Sequence, residues 1–138
     1  MARVLCIEDN PDNMLLIQRA IVALDHDFLW ASDGLSGLAI AASEKPNLIL
    51  LDINLPDIDG YEVARRLRNT RNRLLYVPII AITANALKGD AEKALAAGCD
   101  IYMSKPVNIR ELWAHVIGLL PDSKTPAALS VPVGQQVR

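Results

Sequence analysis

The stretch Leu48-Ile49-Leu50-Leu51-Asp52-Ile53-Asn54-Leu55-Pro56-Asp57-Ile58-Asp59-Gly60 decides the fold. Four consecutive aliphatic residues, with no polar residue alternating among them, describe a short strand covered on both faces, as in a parallel sheet. An acid, Asp52, follows at once. Beyond it comes turn chemistry: Pro56 presets one backbone angle, and Asp59-Gly60 is a turn pair. Asp57 and Asp59 therefore read as loop and cap groups, and Asp52 as the carboxylate nearest the sheet edge. In a parallel α/β sheet the carboxyl ends of the strands lie on one edge, and ligands bind in the crevice there.

Four more apolar runs, at 3–7, 28–31, 78–82 and 101–103, join 48–51 as strand candidates. Helix signals fall between them. Asn10 is a cap with Pro11 at the first helical position. Leu15, Ile17, Ile21, Val22 and Leu24 then recur at helical spacing. Leu35, Leu38, Ala39 and Ala42 mark a second helix that closes before Pro46. A third covers 61–67, with Val63 and Leu67 one turn apart. A fourth covers 91–97 and stops at Gly98, a residue at ease in a left-handed cap. Asn108 caps a fifth, with Glu111 as a capping-box partner and Ile109, Leu112, Val116 and Leu119 as its stripe. Five β/α units thus fill residues 2–120 of the 138. Residues 121–138 hold three prolines and no clear periodicity, and are expected to form a mostly disordered tail or a partner-binding segment.

Hydrophobic residues make up 51% of the chain, enough for a core, and aromatics only 4%, so aliphatic side chains must do the packing. A net charge of −2 argues against nucleic acid as a direct ligand. The basic cluster Arg65, Arg66, Arg68, Arg71 and Arg73 reads as the solvated face of a helix and its exit loop. Cys6 and Cys99 read as spectators in a reducing cytosol. The first apolar run is too short for a signal peptide, and no stretch is long enough to span a membrane; a cytoplasmic location is expected. His26 and His115 lack metal-spaced partners and read as ordinary. Trp30 and Trp113 offer fluorescence reporters, neither clearly at the site.

Polar residues end the apolar runs: Glu8 and Asp9 after the first, Asp52 after the third, Thr83 after the fourth and Lys105 after the fifth. Adjacent carboxylates raise each other's pKa. Three of them converging call for a hard divalent cation, and a sparse set of oxygen ligands completed by water favours Mg²⁺. The Glu8-Asp9 pair taken alone is equally explained by the dipole of the following helix. Asp52 can act as a carboxylate nucleophile toward phosphorus. Lys105 can pair with it at rest and with a phosphoryl oxygen afterwards, and Lys105-Pro106 is a constrained turn, with a cis peptide aiming the lysine inward. Thr83 can donate its hydroxyl to the phosphoryl group, and the small Ala84 leaves access. Singly, Lys105 reads as an exposed lysine before a helix and Thr83 as a structural strand-end residue.

These residues, in the texts IEDN, LILLDINLPDIDGYE, PIIAITA and Lys105-Pro106, resemble the receiver domain of two-component response regulators. The resemblance spans about residues 2–120 and implies a doubly wound, five-stranded parallel sheet of order 2-1-3-4-5, flavodoxin-like. It implies that Asp52 is the phosphoacceptor. Asp9, Asp52 and the Asn54 backbone carbonyl would ligate Mg²⁺ directly, with Glu8 acting through water. Thr83 and Lys105 would bind the phosphoryl group, and Tyr102 would be the switch aromatic that follows the threonine; read without the family, Tyr102 is plain packing. The pair is Glu-Asp where many members have Asp-Asp. Asn54 and Asn85 occupy positions that tune phosphoryl lifetime in the family. The EDNPDN opening resembles receivers of hybrid kinases and stand-alone cell-cycle regulators.

The function so implied is a phosphorylation-dependent switch rather than an enzyme. A sensor histidine kinase or histidine phosphotransfer protein would supply the phosphoryl group. A downstream protein target, or a homodimer, would use the face of helix 4, strand 5 and helix 5. Three alternatives compete with this function. A phosphatase working through an aspartyl-phosphate would want an acid two residues after the nucleophile, where Asn54 stands. A phosphate-independent interaction module would not need the intact acid, hydroxyl and ammonium set. A flavin protein would want a Ser/Thr/Gly-rich phosphate loop after the first strand.

Overall fold

A computed structural model describes residues 1–84 and 89–127. Five parallel strands, β1 (Arg3–Ile7), β2 (Asp27–Ala31), β3 (Leu48–Asp52), β4 (Ile79–Thr83) and β5 (Ile101–Ser104), form one sheet in the order 2-1-3-4-5. The helices are α1 (Pro11–Ala23), α2 (Gly34–Glu44), α3 (Gly60–Arg68), α4 (Asp90–Ala96) and α5 (Ile109–Leu119). A 3₁₀ turn at Arg73–Tyr76, absent from the sequence reading, links α3 to β4. The expected doubly wound α/β fold is what the chain adopts.

Residues of β1, β3 and β4 alternate between two cores. Leu5, Ile7, Ile49, Leu51, Ile79 and Ala81 face α2, α3 and α4. Val4, Cys6, Leu48, Leu50, Ile80 and Ile82 face α1 and α5. Both faces are thus covered, and for that reason these strands read as unbroken apolar runs. Each Val, Leu or Ile side chain so buried contributes about 1.5–3 kcal/mol.

The local signals mostly act as read. Asn10 Oδ1 accepts from the N–H groups of Asp12 (2.9 Å) and Asn13 (3.1 Å), and Gly98 closes α4 at φ +109°. Asn108 Oδ1 accepts from the Glu111 N–H at 3.0 Å, but the Glu111 carboxylate turns to His115, 3.8 Å away. The stripes of two helices differ from expectation. Leu15 and Val22 of α1 are exposed, while Met14 and Ala20 join Ile17 and Ile21 inside. In α2, Leu35, Ala39 and Ala42 face outward, and Gly34, Gly37 and Ala41 are buried. A Cβ on Gly37 would meet Ile7 Cδ1 at 2.5 Å and Cγ1 at 2.8 Å, so glycine here makes room for the Ile7 side chain between α2 and β1.

Residues 121–127, assigned to the tail from sequence, make tertiary contacts. The Lys124 N–H donates to Leu24 O (2.9 Å) and Pro126 is buried. The expected tail beyond them, 128–138, lies outside the described residues, as does Asn85. Among the described residues, no helix is long and apolar enough to cross a membrane.

Candidate functional site

Strand order does the assembly. β1 and β3 are hydrogen-bonded neighbours, with Ile7 opposite Leu51, and β4 flanks β3 with Ile82 opposite Asp52. The residues just past β1 therefore meet the last residue of β3. Carboxylate oxygens of Glu8, Asp9 and Asp52 all lie within 4.8 Å of one another. Glu8 and Asp52 are buried and Asp9 is exposed.

The turn after β3 is folded back on Asp52. The Asn54 N–H donates to Asp52 Oδ1 (2.9 Å), and the Gly60 N–H donates to Ile53 O (3.0 Å). A Cβ on Gly60 would stand 2.5 Å from Ile53 Cα and 2.7 Å from Asp52 O. Glycine at this position lets the start of α3 press against the turn. Asp59 caps α3 through the Tyr61 N–H (2.7 Å), and Asp57 caps α2, accepting from Gly34 and Leu35 (both 2.8 Å). Both rivals of Asp52 are thus engaged as caps.

Lys105 directly follows β5, and the Lys105–Pro106 bond after it is cis. Its Nζ lies 3.0 Å from Glu8 Oε1 and 3.2 Å from Asp52 Oδ2. The second approach is an ion pair, and Asp52 Oδ2 is buried with no further partner among the described residues. Burial opposes the charge on Lys105, but hydrogen bonding to Glu8 and the fields of Asp52 and Glu8 outweigh it and raise its pKa. The ammonium stays charged. Burial is also the largest influence on Asp52; with Glu8 beside it, it pushes the carboxyl up to about 7 from its ordinary 3.8, against the opposing pull of the Asn54 N–H and of Lys105.

Thr83 is buried, and its Oγ1 donates to Asn54 Oδ1 at 3.4 Å, a long contact shared with the Ala84 N–H at the same distance. Thr83 pairs across the sheet with Ser104, next to Lys105. Tyr102 lies opposite Ala81 in β5, half-buried against the core on the α2–α4 side. The structure therefore brings Glu8, Asp9, Asp52 and Lys105 into one cluster, ties Thr83 to it through Asn54, and holds Tyr102 in the adjoining strand.

The oxygen donors fit a hard cation. One ammonium faces three carboxylates, and a buried carboxylate oxygen has an unfilled coordination direction. Sequence reasoning passed over Trp30 here. Its Nε1–H donates to the Glu8 carbonyl at 2.7 Å, which places the indole at the site. His26 also carries more than was read. It is buried, and its Nδ1 accepts from the Ala2 N–H (3.1 Å). That fixes the tautomer in which Nε2 donates to Ser123 Oγ (2.6 Å). Burial, then the N-terminal ammonium, lowers its pKa.

Comparison with known proteins agrees with this geometry. Residues 4–117 match the family model described as the response regulator receiver domain. The polar-differentiation response regulator DivK of Brucella anthropi is 40% identical over 120 residues, covering 87% of this chain and 97% of that one. DivK of Brucella melitensis is equally similar. Among solved structures, the receiver domain of a sensor histidine kinase from Pseudomonas aeruginosa superposes with a TM-score of 0.79 at 36% identity, covering 87% of this chain and 98% of its own. That structure has a magnesium ion coordinated in the active-site cleft. The Vibrio cholerae chemotaxis protein CheY4 shares the fold, with a TM-score of 0.80 at 23% identity and coverage of 87% and 99%. With its sheet order, its acid cluster and these similarities, the chain belongs to the response regulator receiver domains of two-component signalling.

Proposed function

We propose that Asp52 is the phosphoacceptor of a phosphorylation-dependent switch whose domain spans residues 2–120. The observation that carries this reading is Asp52 Oδ2: buried, without a hydrogen-bond partner among the described residues, and 3.2 Å from the Lys105 ammonium. Burying a carboxylate oxygen so incompletely satisfied is costly. The cost is offset when an electrophile or cation takes the free position.

A phosphohistidine on a sensor kinase or phosphotransfer protein is the donor. Asp52 attacks phosphorus in line; the new P–O bond forms as the P–N bond breaks, and the electron pair leaves with the imidazole nitrogen. Asp9, Asp52 and the Asn54 carbonyl, with Glu8 behind them, would hold Mg²⁺, which would supply charge neutralisation at the transferring group. Lys105 holds a phosphoryl oxygen. Thr83 exchanges its long bond to Asn54 for a phosphoryl oxygen and moves inward, and Tyr102 follows. The face of α4, β5 and α5 then changes shape, and a downstream protein or a second copy that prefers this form shifts the population toward it. Hydrolysis of the acyl phosphate resets the switch. The domain assists its own phosphorylation and dephosphorylation without turning over a separate substrate, and it works in the cytoplasm.

The test is intact mass after incubation with acetyl phosphate and Mg²⁺. Wild type gains one phosphoryl group and Asp52→Asn gains none. An unlabelled wild type, or equal labelling of the variant, refutes the assignment.

A further inference from the structure

A tryptophan half-exposed on an edge strand needs a reason. Trp30 is 39% exposed on β2, which among the described residues pairs with β1 alone. Its strand partner is Cys6, two residues before Glu8. Packing alone would be met there by a smaller apolar residue. The indole differs from every such residue in its N–H, and that N–H is spent on the Glu8 carbonyl at 2.7 Å.

The bond completes a grip on the turn that carries the acid pair. The Glu8 N–H donates to Ala31 O at 2.9 Å. Its carboxylate is fixed at both oxygens, by Lys105 Nζ at 3.0 Å and by the Asn10 N–H at 3.2 Å. The remaining polar group is its carbonyl, and Trp30 holds it. A peptide unit is rigid and planar, so fixing the direction of the Glu8 carbonyl also fixes the Asp9 N–H and Cα. Asp9 is exposed. It has a short side chain with two rotatable bonds, so its aim follows chiefly from where its own backbone points.

We infer that Trp30 is a positioning residue for the acid cluster: its indole N–H sets the Glu8–Asp9 peptide plane and so aims the Asp9 carboxylate at the site shared with Asp52. The inference rests on the Mg²⁺ assignment above. Groups that orient ligands from behind typically cost 10- to 100-fold in metal affinity, roughly, when removed.

The molecule supplies its own control. Trp113 on α5 makes the same kind of bond, Nε1–H to Ala20 O at 2.9 Å, between α5 and α1. Trp30→Phe and Trp113→Phe each delete one indole-to-carbonyl bond while keeping an aromatic ring. Mg²⁺ is titrated into ¹⁵N-labelled protein without phosphodonor, and thermal melting is followed in parallel. Both variants lose comparable thermal stability. Trp30→Phe binds Mg²⁺ about tenfold more weakly and the Asp9 amide resonance moves; Trp113→Phe binds as wild type does. A wild type that binds Mg²⁺ together with a Trp30→Phe variant of equal affinity overturns the role of Trp30 alone. A wild type blind to Mg²⁺ overturns the metal assignment itself. Should Trp30→Phe fail to fold, the wild-type indole signals decide. The Trp30 N–H must shift on saturation with Mg²⁺ while the Trp113 N–H stays; a stationary Trp30 signal sinks the inference.

Discussion

The two edges of the sheet each carry a charged cluster, and they are built on opposite plans. At the amino edge Arg68 Nε donates to Gly98 O (2.8 Å) and Nη1 to the carbonyls of Leu74 (3.1 Å), Leu75 (3.3 Å) and Val77 (2.6 Å). Its Nη2 meets Asp100 Oδ2 at 2.7 Å, and Asp100 Oδ2 also accepts from the Ile79 N–H at 2.8 Å. One rigid fork of donors thereby ties α3, the 3₁₀ turn, β4 and the α4–β5 loop together. At the carboxyl edge one ammonium is shared by two buried carboxylates, and Asp52 Oδ2, though paired with it at 3.2 Å, has no hydrogen-bond partner among the described residues. Satisfied polar networks rigidify a fold. Unsatisfied ones are where a protein stores the capacity to bind.

That contrast breaks if the two clusters respond alike. The largest effect is expected from Arg68→Ala, which strips several acceptors at once and should destabilise by about 2–4 kcal/mol. Chemical denaturation measures it, and Mg²⁺ affinity should stay within about twofold of wild type if the edges are independent. Asp52→Asn should do the reverse. The folded pKa of Asp52 lies above its unfolded value. Its contribution to stability is therefore fully present below the ordinary carboxylate range and is lost as pH rises through about 7. Without metal at pH 8 the amide removes a buried charge, and the variant should gain about 1–3 kcal/mol. A loss of stability under those conditions would mean that Asp52 is as well paired as Arg68.

A pH series sharpens the same point. A cation competes with the Asp52 proton, so Mg²⁺ should bind up to about tenfold more tightly for each unit climbed toward pH 7 and level off above it. A flat profile would show Asp52 ionised throughout. The smallest effect belongs to the exposed charges. Glu62 pairs with Arg65 at 3.1 Å and Arg66 at 3.0 Å in open solvent, and Glu62→Gln should change stability by no more than about 0.5 kcal/mol.

The same contrast explains what the sequence disclosed. The acids at the carboxyl edge were legible because each one ends a strand, and a parallel sheet converts that rule of sequence into a place in space. Arg68 looked like one more member of a basic run, since nothing local tells which arginine finds carbonyls three segments away. The α1 and α2 stripes misled for a related reason. Apolar spacing predicted Leu15, Val22 and Leu35 inside, whereas the close contact of α2 with Ile7 buries Gly37. A glycine that makes room for a strand's side chain leaves no hydrophobic mark in the text. Trp30 and His26 act through single long-range bonds to main-chain groups or to Ser123, and such bonds have no spacing rule.

The docked segment 121–127 has a practical corollary. It hangs from Leu24 and His26, beneath the amino ends of the strands. Five-residue strands span roughly 17 Å, so a cargo joined directly after position 127 starts out on the far pole from the acids. A fluorescent protein or an immobilisation handle attached there would leave the acidic crevice open.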